Sequence, residues 1–111
     1  MSKLTVTCRN FKALRRNTLV GFVTVYIREL RLEIRDVAIH QKGEARWAQL
    51  PAKPMIDKNG VAIRDSSTGK IQYASILEFD RREVRDAFSR AVIAALLELV
   101  PGAFDAEENA A

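Results

Sequence analysis

One cysteine, one histidine, one tryptophan and three prolines in 111 residues set the first limits on this chain. A lone Cys8 rules out an internal disulfide and any zinc site built on several thiolates. Leu4, Val6 and Cys8 alternate with polar residues, so the thiol reads as a small buried hydrophobe. His40 has no nucleophile and orienting carboxylate marked for it in the sequence, and Asp36 beside it does not make a metal cluster. Ser67-Thr68-Gly69-Lys70 lacks the earlier glycine and the following hydroxyl of a phosphate loop, because Arg64 and Ile71 hold those positions. No run approaches the roughly 20 apolar residues that span a bilayer. No basic start, apolar stretch and small-residue cleavage site mark a signal for export, so a cytoplasmic protein is expected. Neither catalysis nor a cofactor is expected.

What is present is a core and a skewed charge. Apolar residues make up 48% of the chain, enough for one packed domain over residues 1–104 with a short acidic tail over 105–111. The net charge is +4 and the pI about 9.6, which favours polyanionic partners. Residues 1–50 hold ten Lys/Arg against four Asp/Glu, a balance of +6, and residues 51–111 hold eight against ten, a balance of −2. The positive field therefore belongs to the first half.

That half reads as sheet. A short strand over 4–9 leads through a basic connection over 11–17 to a strand over 18–28. There Leu19, Gly21, Val23, Val25 and Ile27 share one face, and Val20, Phe22, Thr24, Tyr26 and Arg28 the other. Leu30, Leu32 and Ile34 continue at even positions, but Val37 and Ile39 are odd. A bulge at Arg35-Asp36 would restore the inward face. A turn over 41–44 leads to a strand over 45–50, which Pro51 and Pro54 end. Asn59-Gly60 and 65–69 are turn signals in a hairpin-like extension over 55–77.

One long helix over 80–100 follows, with Asp80 and Glu83 spaced as a capping box and Phe79 and Val84 as a staple. Over 91–100 it is apolar almost all round, and one sheet covers only one side. This predicts a homodimer joined through Phe88, Val92, Ala95, Leu96 and Leu99.

The sheet's other face is the candidate site. It would carry Arg9, Phe22, Tyr26, Arg28, Arg31, Arg35, Lys42 and Trp47, flanked by Arg15 and Arg16 of the connection and Lys53 of the exit loop. Cations attract phosphates and flat rings stack on bases, a pairing suited to single strands. Single-stranded DNA or RNA is the expected partner, and the alternative is an adaptor that docks a protein on the same face.

The 38–53 stretch, with its turn, aromatic strand and Leu50-Pro51-Ala52-Lys53 exit, followed by a glycine turn and Arg64-Asp65, resembles the sporulation and septation regulator family SpoVG. The likeness covers about half the chain and implies a small, oligomeric, nucleic-acid-binding protein. The helix, more apolar here, and the extra N-terminal segment depart from it. Four strands followed by one helix is also similar to the single-strand binders of the transcriptional coactivator, Whirly and Pur types. That order implies helix-swapped dimers. Leu50-Pro51-Ala52-Lys53-Pro54 and Leu77-Glu78-Phe79 are similar to segments of small bacterial and phage proteins. The fold class expected is α+β, a curved antiparallel sheet followed by one long C-terminal helix.

Overall fold

The computed structural model describes residues 4–105. Strands β1 (Val6–Arg16), β2 (Leu19–Ile27), β3 (Leu32–Lys42) and β4 (Ala45–Gln49) pair antiparallel in chain order. β5 (Ala52–Pro54) and β6 (Tyr73–Ser75) form a separate two-stranded sheet, and α1 (Arg82–Leu99) follows. The architecture is α+β, as the sequence predicts.

β2 has the highest density of β-branched residues and is the centre of the core, with Val20, Val23 and Val25 fully or almost fully buried. The bulge expected at Arg35-Asp36 is there. Val25 pairs with Ile34 and Val23 with Val37, so β3 spends three residues where β2 spends two. Asp36 takes φ 60°, a left-handed conformation that Asp tolerates better than most residues, and Ile34 and Val37 both turn inward. Gly21 is needed where β1 and β2 touch. A Cβ there would run into the Lys12 carbonyl and the Phe11 ring.

Three expectations are corrected. The 11–17 stretch is not a connection but the second half of β1, an eleven-residue edge strand that turns at Asn17. A register shift between Arg9 and Lys12, with Asn10 at φ 52°, moves Phe11 onto the core and hides the alternation. Its cations discourage sheets from pairing edge to edge. A second shift, between Leu19 and Gly21, buries Val20 and leaves Leu19 opposite His40. At the far end, 28–31 leaves the sheet. Arg28–Leu30 is a 3-10 turn and Arg31 is left-handed at φ 49°, held by Thr5, whose N–H and hydroxyl both donate to Glu29. These bonds keep the Glu29 carboxyl below its usual range. Leu30 and Leu32 consequently remain exposed beyond the core.

The helix begins later than its capping signal. Arg81 is the cap residue; its side chain caps no backbone N–H and instead donates to Glu83 Oε2 at 3.5 Å. Phe79 packs against Phe88, centroids 5.1 Å apart and rings tilted by 47°, and that contact anchors the entry of the chain to the helix.

The dimer residues are corrected most sharply. Phe88, Val92, Ala95 and Leu96 are 8%, 0%, 6% and 0% exposed within a single chain, and of the five only Leu99 is open. The sheet curls around the helix. On one flank the Cys8 thiol of β1 donates to the Val92 carbonyl at 3.6 Å, and on the other the Ala48 N–H of β4 donates to Ser89 Oγ at 2.8 Å. Ala103 and Phe104 fold back to finish the core after the helix ends. Cys8 is buried as expected, and its desolvation pushes the thiol up to about 11. Of the acidic tail, Asp105 belongs to a 3-10 turn with Ala103, and 106–111 lies outside the described residues.

Candidate functional site

The face of the four-stranded sheet turned away from α1 is organised by cross-strand register, because directly paired residues share a face. One row runs Thr7–Tyr26–Glu33 and another Lys12–Phe22–Ala38–Gln49. A third ends in His40–Trp47. Arg9, one step along β1, lays its guanidinium 4.2 Å over the Tyr26 ring. Glu33 bridges Arg9 at 3.3 Å and Arg35 at 3.0 Å, so one carboxylate holds two exposed arginines in place. Both bridges are open to water and hold the arginines only weakly.

His40 and Trp47 lie parallel, 5.3 Å between centroids and 10° between planes. Thr18 Oγ1 meets His40 Nδ1 at 2.9 Å. Burial lowers the imidazole's pKa, and a hydrogen bond with Gln49 partly opposes the shift. The imidazole and the indole form one two-ring stack, each ring half-buried.

The expected site residues divide into three groups. Arg9, Phe22, Tyr26, Arg35 and Trp47 come together on this face, with Lys42 at its exposed end. Arg16 lies at the same end, opposite Leu19, whereas Arg28 and Arg31 sit past the other end in the 3-10 turn. Arg15 and Lys53 are elsewhere. Arg15 points to the helix side, where Nη2 donates to the Phe104 carbonyl at 2.9 Å while Nε is buried without a partner. Lys53 is on β5, beyond the proline exit.

Two residues were missed. Lys12 stands beside Phe22 on the face, hidden from a periodicity reading by the bulge at Asn10. Arg46 alternates to the helix side and lies 4.2 Å over the Phe104 ring.

A groove of about 510 Å³ adjoins the face at the β4 edge. Trp47, Leu50 and Pro51 form one wall, Leu77 and Phe79 another, and Arg85 and Ser89 of the first helical turns close it. Beyond it, residues 52–75 project as an arm. Its tips are set by Asp57, whose carboxylate accepts from the Asn59 and Val61 N–H groups, and by Asp65, which accepts from Ser67 and Thr68. The bonds to Asp65 hold its carboxyl down at about 2. Gly60 follows the turn from Asp57 at φ 80°, so Lys58, Asn59 and Gly60 make a three-residue loop between Asp57 and Val61, not the two-residue hairpin the sequence suggests.

Among the described residues no three His, Cys, Asp or Glu side chains gather as a metal site, and no helix is long and apolar enough to cross a membrane. No family model, curated protein or solved structure matches the chain.

Proposed function

We propose that this protein binds single-stranded DNA or RNA on the outer face of its four-stranded sheet. The observation that carries the reading is the pairing of flat rings with cations on that face. His40 and Trp47 form one platform, Tyr26 under Arg9 a second, and Lys12, Arg35 and Lys42 surround them. An arginine plane over a ring is itself a surface on which a base stacks, and stacking contributes about 1–3 kcal/mol per base. Duplex is a poorer fit, because the open face of α1 pairs Arg81 with Glu83 and Arg82 and Arg85 with Asp86, which leaves no strongly cationic helix among the described residues to enter a groove.

The test separates stacking from charge. Labelled single-stranded and duplex oligonucleotides are titrated across salt concentrations, with Trp47, the only indole, as the fluorescent reporter. Single strands should bind more tightly and quench Trp47. Lys12→Ala should lower the salt slope by about 0.7. Trp47→Ala should weaken binding about tenfold, as a lost stack of this size implies, with the slope unchanged. Binding confined to low salt, without quenching and without loss in Trp47→Ala, would exclude the site and leave the protein-adaptor reading of the same face.

A further inference from the structure

We propose that the arm of residues 52–75 seats in the groove of a second copy of this chain, so that two copies exchange arms. The arm has no core of its own. Ile56, Val61 and Tyr73 are 62%, 59% and 60% exposed, and Met55 is open beside them. A two-stranded ladder standing alone in water is at best marginally stable. An apolar surface on such an element needs a lasting cover.

The chemistry indicates a second copy as the occupant, because each chain carries both halves of the contact. The arm is cationic, with Lys53, Lys58, Arg64 and Lys70 against Asp57 and Asp65, whose carboxylates are taken up by their own turns. The groove is apolar along Trp47, Leu50, Pro51 and Phe79, and Glu78 stands among its lining residues with no ion pair among the described residues. An apolar, basic arm thus complements an apolar groove with a free carboxylate. Reciprocal exchange satisfies two arms and two grooves and closes at the dimer. A strand-to-strand alternative through the β1 edge would bring Arg9, Lys12 and Arg16 of both copies together, which like charge opposes.

Sedimentation velocity of the full chain over the micromolar range tests this. The wild type should be a dimer. Ile56→Glu with Val61→Glu spoils the arm, and Leu77→Glu spoils the groove. Both change exposed side chains, so far-UV circular dichroism and thermal unfolding should show an intact sheet and helix. Each variant alone should dimerise at least tenfold more weakly. An equimolar mixture of the two should associate more tightly than either, because one intact arm then meets one intact groove. A monomeric wild type overturns the proposal, as does a dimer indifferent to the arm changes. A mixture that restores nothing overturns the seat in the groove.

Discussion

His40 lies parallel to Trp47 with Thr18 Oγ1 at its Nδ1, and that setting makes one residue a reporter of the whole outer face. Burial holds its folded-state pKa below the ordinary 6.5, so the unfolded chain takes up the proton first. The neutral imidazole's contribution to stability is therefore complete above the unfolded pKa and declines as pH falls through it. Glu29 and Asp65 are also held low, but by hydrogen bonds, and their contributions are lost only below the usual carboxylate values of 4.5 and 3.8. Thermal melts should show stability beginning to fall as the pH drops through about 6.5, and His40→Asn should remove that onset. An unchanged onset would mean that His40 is as free to protonate folded as unfolded. The parallel stack itself was not legible, because position 40 finds position 47 only through the β3–β4 register.

Elements were legible wherever polarity marked their period. The Arg35-Asp36 bulge could be read because apolar residues switch parity across it, from Ile34 to Val37. The bulge at Asn10 could not, since Arg9, Asn10 and Lys12 offer no contrast for a parity to show. The capping signal at Asp80 and Glu83 was overridden by tertiary packing of Phe79 on Phe88. The helix gave the most misleading signal. An all-round apolar surface suggested a second chain, yet the sheet curls until β1 and β4 both reach the helix. Leu96, fully buried, is a core residue of the single chain. Leu96→Ala should cost about 2–5 kcal/mol. The loss should be equal at every protein concentration, whereas a residue at a dimer interface would show a melting temperature that moves with concentration.

At the scale of the whole molecule, a compact body and an arm share one chain. None of the buried core residues lies between Ile39 and Phe88. The radius of gyration is 15.3 Å, against about 13 Å for a compact chain of this length. Pro54 and Tyr73 are direct partners, so a short turn can replace residues 55–72. That deletion should leave cooperative unfolding and the binding face intact while abolishing self-association. Circular dichroism melts with sedimentation would read both, and loss of the cooperative transition would show that the arm belongs to the core.

By itself the sequence determined the fold class, the single C-terminal helix, the burial of Cys8, the bulge at Arg35-Asp36 and the sheet as the basic half. Each of these follows from local period, polarity and turn chemistry. Only the tertiary structure decided that Phe88, Val92, Ala95 and Leu96 belong to the chain's own core, and that Arg15 faces Phe104 while Lys12 joins the outer face. It also decided that Arg9 covers Tyr26. The physical reason is common to all of them. Curvature and cross-strand register are non-local quantities, set by which strands pair and where each bulge shifts the pleat, and one bulge reverses the face of every residue after it.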